Sequence, residues 1–159
     1  MEIRSINLPE VTKVGDFFLY HNRSLVALAL SWAEVIGSWF LFNNKVSLQN
    51  LFLPSLKHAG DQFLTNNLYL QKVEFPSLET IGNSAFEQNV ELVSFKAPKL
   101  EKAGDDFLYF NENLLELDLP CLRSLGRCAL HINNSLKFVN FPKLKSVGSE
   151  SFYCNTTIK

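Results

Sequence analysis

The chain has 159 residues, 47% of them hydrophobic with fourteen phenylalanines, and a formal net charge of −1. That length and apolar content suit one domain with a substantial core and exclude a disordered chain. The near-neutral charge leaves no electrostatic footprint for nucleic acid or an anionic membrane, and no apolar run approaches the roughly 20 residues of a membrane span.

In chain order, the N-terminal "MEIRSINLPE" has no basic start followed by an apolar stretch, so no secretory leader is read from it. Ile3–Leu8 alternates apolar and polar residues and predicts a first strand, closed by Pro9, which has no N–H to continue a ladder. Gly15 follows, then Asp16, then the aromatic stretch "FFLY", then Asn22. The same order then returns without a break. Taking glycine as the origin, Gly15, Gly37, Gly60, Gly82, Gly104, Gly126 and Gly148 are spaced by 22, 23, 22, 22, 22 and 22 residues, which uses all seven glycines. Seven residues after each glycine stands an asparagine: Asn22, Asn44, Asn67, Asn89, Asn111, Asn133 and Asn155. Six residues before each stand Pro9, Ser31, Pro54, Pro76, Pro98, Pro120 and Pro142. The one extra residue falls between Asn44 and Leu48.

A fixed period of this length is the signature of a solenoid. The segment L-x-x-L-x-L predicts further strands at Leu25–Leu30, Leu48–Leu53, Leu70–Phe75, Leu92–Ala97, Leu114–Leu119 and Leu136–Phe141. Stacked about 4.8 Å apart, seven such strands make a parallel sheet roughly 30 Å long. The residue after each glycine is Asp16, Ser38, Asp61, Asn83, Asp105, Arg127 or Ser149, and all but Arg127 are helix N-caps by preference. The sequence therefore predicts a short helical or 3-10 return segment in each coil, with the glycine supplying a backbone geometry that other residues resist. A calcium column is the competing reading, but only three of these positions are Asp.

The asparagines predict a ladder of side-chain to backbone hydrogen bonds along the stack. Three of them, in "NRS", "NNS" and "NTT", are also glycosylation sequons, but four others in the same column are not, which favours the structural role. Inside the coil, residues trade volume: Val73/Phe75 and Phe95/Ala97 against Leu28/Leu30, as a close-packed interior requires.

The units "LELDLPCLRSLGRCALHINNSL" (Leu115–Leu136) and "VEFPSLETIGNSAFEQNVEL" (Val73–Leu92) resemble the BspA-like (Treponema-type) class of leucine-rich repeat protein, whose repeat reads approximately LxxLxLPxxLxxIGxxAFxxCxxL. The period is 22 where that class has about 23, and Asn stands where it often has Cys. The resemblance spans essentially the whole chain. It implies an α/β solenoid, a right-handed leucine-rich repeat coil of about seven repeats forming a single domain over residues 1–159. It further implies protein–protein recognition, common among bacterial surface or secreted proteins and protist proteins, and brings no catalytic residues with it.

The residues themselves offer no chemistry either. His21, His58 and His131 fall at unrelated repeat positions and do not converge as metal ligands. Cys121, Cys128 and Cys154 form neither a disulfide framework nor a zinc motif; they favour a reducing compartment or secretion without a leader. Cys128 beside Arg127 is a weak hint of an activated thiol. No cofactor, metal or enzyme activity is expected.

Two outward columns line the strand face: Ser5, Ala27, Asn50, Lys72, Ser94, Glu116, Phe138 and Asn7, Ala29, Phe52, Glu74, Lys96, Asp118, Asn140. Glu74, Lys96 and Asp118 alternate in sign and are expected to neutralise one another. The N-terminal third is different. Ala27, Ala29, Trp32, Phe52 and Asn50 are the expected partner-binding residues, an aromatic pair among small side chains, although Trp32 could instead fold over the small core residue Ala33. Phe17, Trp39, Tyr20, Phe42, Tyr109 and Phe110 suggest a second surface on the return side, or simple stacking within a column. Met1 leads directly into the first strand, and Ile158 opens what would be an eighth. The expectation is a segment of a longer array or self-association through uncapped solenoid ends. The sequence thus points to a module that recognises another protein, against two alternatives: a structural spacer or surface array, and the recognition domain of a larger effector.

Overall fold

Short strands recur at two places in every repeat of the computed structural model, which describes residues 3–44 and 48–157. In chain order they are β1 (Ser5–Asn7), β2 (Lys13–Val14), β3 (Ala27–Ala29), β4 (Val35–Ile36), β5 (Asn50–Phe52), β6 (His58–Ala59) and β7 (Lys72–Glu74). They continue with β8 (Thr80–Ile81), β9 (Ser94–Lys96), β10 (Lys102–Ala103), β11 (Glu116–Asp118), β12 (Ser124–Leu125), β13 (Phe138–Asn140) and β14 (Ser146–Val147). The extra residue anticipated between Asn44 and Leu48, and the start of an eighth strand at Ile158, lie outside the described residues.

The three-residue strands sit inside the segments expected from L-x-x-L-x-L, with outward side chains flanking one inward residue. Leu51, Val73, Phe95 and Leu117 are those inward residues, all buried. Pairing is parallel with the columns in register: Asn50 lies against Lys72 and Lys72 against Ser94, while Phe52 lies against Glu74 and Glu74 against Lys96. The expected single sheet of seven is nevertheless divided into sheets of two, three and two strands, with interruptions between β3 and β5 and between β9 and β11. The unbroken seven-stranded sheet is the one the sequence did not announce: the two-residue strands, from β2 through β14. Their inward residue directly precedes the glycine, as in Val14, Ile36, Ile81 and Leu125. Between the strand types, residues such as Leu53–Leu56 and Phe75–Leu78 close i→i+3 turns with proline second, where its fixed φ suits the turn.

The return segments are not helical. No helix occurs among the described residues, so none is long and apolar enough to cross a membrane. Each coil instead has positive φ, between 50 and 62°, at the second, fourth and sixth residue after glycine, for example Phe17, Leu19 and His21. Tyr20 N–H donates to the Phe17 carbonyl and Asn22 N–H to the Leu19 carbonyl, both at 3.1 Å. A positive φ at the third residue of such turns is the type II pattern, here in tandem. This conformation leaves alternate N–H groups free to reach neighbouring coils: Phe17 N–H donates forward to Ser38, Leu41 N–H back to Phe18, and His21 N–H forward to Phe42. Inter-coil bonding won over local helix. A 3-10 turn would have spent the same donors within one repeat.

The polar residues after glycine accordingly cap nothing. Asp61 Oδ1 accepts the Asn83 N–H at 2.7 Å, Asn83 Oδ1 accepts that of Asp105 at 2.9 Å, and Asp105 Oδ1 accepts that of Arg127 at 2.7 Å. They form a second polar ladder between coils. The glycines differ from expectation too, because none has positive φ. A Cβ on Gly126 would stand 2.4 Å from the Gly104 carbonyl carbon and 2.3 Å from Asp105 N. Close approach of successive coils, not backbone conformation, demands glycine here.

The asparagine ladder is present from Asn67 to Asn155 but not at the first two positions: Asn22 Oδ1 accepts the Ser24 and Leu25 N–H groups of its own coil, and the Asn44 amide has no partner among the described residues. Asn133 Nδ2 donates to the Leu108 carbonyl one coil back (2.9 Å), while its Oδ1 accepts the Asn111 N–H (3.0 Å). Asn89, Asn111 and Asn155 make the same backward bond to Leu64, Phe86 and Leu130. The core runs uninterrupted along the stack, with Phe40, Phe63, Phe75, Phe86 and Phe107 fully buried.

Candidate protein-binding surface

The face of the three-residue strands owes its composition to period two: one residue in three faces the core, and the other two are free to vary. In the first coils those free positions are small or apolar. Phe52 is 56% exposed and Trp32 64% exposed, whereas Ala33 beneath Trp32 is fully buried. Most of the indole, in the turn after β3, is therefore open to solvent. Ala27 and Asn50 are exposed and Ala29 is half-buried. A cleft of about 720 Å³ opens at the junction of β3 and β5 and runs on over β7 and β9, lined by Ala27, Ala29, Asn50 and Phe52 together with Lys72 and Lys96. A smaller cleft of about 500 Å³, lined by Phe138, Val93, Glu116 and Asp118, spans the second interruption between β9 and β11. Both clefts lie over junctions where strands do not pair, a feature absent from side-chain periodicity.

The charged column is less self-contained than expected. Glu74 and Lys96 are opposite one another, but Asp118 lies across the β9–β11 interruption. Among the described residues the ion pairs are Lys57–Glu34 (3.1 Å) and Arg123–Glu101 (3.7 Å), both exposed and elsewhere. Asp118 instead accepts a hydrogen bond from Asn140 Nδ2 at 3.0 Å.

On the return side, four of the six aromatics come together. Phe17 and Trp39 stack with centroids 6.0 Å apart and planes 9° apart, and Tyr20 and Phe42 stack at 5.3 Å and 11°. Trp39 and Phe42 are half-buried by this packing, leaving Phe17 and Tyr20 exposed. Tyr109 and Phe110 belong to a separate group, in which Tyr109 meets His131 edge-on at 5.1 Å. The six are two clusters.

Cys128 is not activated. Desolvation first, then the carboxylates of Glu150 and Asp106, raise its thiol pKa above the ordinary value, outweighing Arg127. Desolvation likewise raises Glu87 and Asp106, the latter aided by Asp105. His21 bonds Asn43 and His58 bonds Thr80, in different parts of the coil. No cluster of three metal-ligating side chains occurs among the described residues.

A stack of coils with parallel strands, inward leucines and an asparagine ladder defines a parallel β-solenoid of the leucine-rich repeat kind. Among solved structures, it is similar to a leucine rich cell surface protein from Faecalibacterium prausnitzii, with a TM-score of 0.61 at 17% identity. The similarity covers 93% of this chain and 44% of that one, so the chain spans less than half of its structural neighbour. Among curated proteins no match was found. The family model for the BspA type leucine rich repeat region matches in six copies, across residues 1–93 and 36–159, and the chain belongs to that family.

Proposed function

We propose that this chain is a protein-recognition module that binds its partner through the strand face at Ala27, Ala29, Trp32, Asn50 and Phe52. The observation that carries the reading is the pair of exposed aromatics, Trp32 and Phe52, beside a cleft lined by the small Ala27 and Ala29, while the middle strands of the same face carry Lys72, Glu74, Ser94, Lys96, Glu116 and Asp118. Large aromatic side chains among small ones give much contact area for little ordering entropy, which is how interface anchors work. The repeat itself supports the division of labour. Inward Leu and Phe, the glycines and the asparagines hold the stack, while the outward columns are free of structural duty.

Phe17 and Tyr20 are secondary candidates, since much of the return-side cluster is occupied by its own stacking. A spacer without a partner is the competing class. Affinity capture with the intact chain, run beside a Trp32→Glu/Phe52→Glu variant whose circular dichroism matches the parent, separates them. The expected result is specific partners retained by the parent and lost by the variant. Equal capture by both proteins removes this reading.

A further inference from the structure

The cleft between β3 and β5 is more than a hollow in the face, because its two lips are strand edges whose ladder groups have no partner across the junction among the described residues. The coils are tied just past them by the Ser55 hydroxyl, which donates to the Ser31 carbonyl at 2.8 Å. At intact junctions, Leu53 N–H donates to the Glu74 carbonyl at 3.2 Å and Gln71 N–H to the Gln49 carbonyl at 2.8 Å. The matching bonds here, Leu30 N–H to Phe52 and Gln49 N–H to Val26, are not made among the described residues. The floor is open as well: Leu28 is only partly buried, as are Ile6 and Val139 in the first and last coils, whereas Leu51, Val73, Phe95 and Leu117 at the same position are sealed. At the other interruption, Phe95 and Leu117 are both buried, so that gap does not reach the core. Only the first offers donors, acceptors and an accessible apolar floor together. Its lining also carries Lys72, Lys96 and Glu74, two cations against one anion, and none is ion-paired among the described residues.

Building on the recognition reading above, we propose that this cleft takes one extended segment of the partner protein, which enters as an additional strand between β3 and β5. Its main chain completes the missing ladder, as in strand-addition complexes. An inward apolar side chain packs on Leu28, an outward one packs beside Phe52, and a neighbouring carboxylate faces Lys72 and Lys96. An extended segment meets these demands where a folded surface does not, since only a bare main chain presents donors and acceptors at strand spacing.

The test is selection of a displayed library of random peptides on the intact chain, with counter-selection on a folded Ala29→Glu variant. The expected winners alternate apolar residues and carry Asp or Glu. N-methylation of alternate amides should weaken their binding about tenfold or more, while methylation of the intervening amides leaves it unchanged. Hydrogen exchange at the Leu30 and Gln49 amides should slow when a selected peptide is added, a readout that needs no variant. Peptides that bind regardless of N-methylation, or that leave those two amides unprotected, overturn the proposal, as does the absence of any peptide enriched over the variant. Partner capture that still depends on Trp32 and Phe52 would then leave the broader reading standing without the inserted strand.

Discussion

Two residue types in this repeat are fixed by contacts with a neighbouring coil. A Cβ at Gly104 would lie 2.7 Å from the Gly82 carbonyl carbon and 2.8 Å from Asn83 N, backbone atoms that cannot turn aside; at Gly15 nothing lies within 4 Å. Gly104→Ala should therefore lose about 1–3 kcal/mol and Gly15→Ala almost nothing, measured side by side in urea denaturation of this chain. A conformational role would make the two alike. Asn133 is the second case. Asn133→Ala strips the Leu108 carbonyl and the Asn111 N–H of their partners in a dry turn, and should destabilise by about 2 kcal/mol or more. The same burial, 0% exposure, denies its amide to glycosylation once the chain is folded. That these positions matter was legible in the sequence from their unbroken period. Why glycine matters was not, because an inter-coil distance leaves no mark on a single repeat.

At the scale of elements, the tandem turns are the main departure from what the letters predict. Polar N-cap residues followed by Phe and Leu read as a helix start, and local propensity alone supports that reading. What overrides it is the neighbouring coil, which offers carbonyls to N–H groups that a helix would bond internally. The conformation has a cost, since a non-glycine residue at positive φ is held at about 1–2 kcal/mol. Gln88, exposed and at φ 58°, can be relieved without touching the core. Gln88→Gly should stabilise the fold by about 0.5–1 kcal/mol, the strain released less the extra entropy of glycine in the unfolded chain. A helical return segment would give the opposite sign. The strand segments were legible because alternation and burial coincide there. The two-residue strands were missed because two residues are too few to show a period.

For the whole molecule, nearly every hydrogen bond beyond the local turns joins one coil to the next, so stability is distributed as a line of similar interfaces. Native-state hydrogen exchange should show this directly. The Leu53 amide, bonded across an intact junction, should exchange at least about tenfold more slowly than the Leu30 amide at the β3 edge. Similar rates would mean that β3 and β5 pair in solution. The candidate site was only half legible: Trp32 and Phe52 stand out as aromatics, but the opening beside them lies at a junction where two coils do not pair, which no single repeat records. The contrast between the two sheets has a mechanical consequence. One wall is a continuous seam of main-chain bonds and the opposite wall is jointed, so the array is stiff against stretching on one side and compliant on the other. Flexing about the seam varies the gape of the joint at the expense of no main-chain rung, only of the Ser55 hydroxyl's bond to the Ser31 carbonyl, and whatever wedges into the joint sets the curvature of everything beyond it.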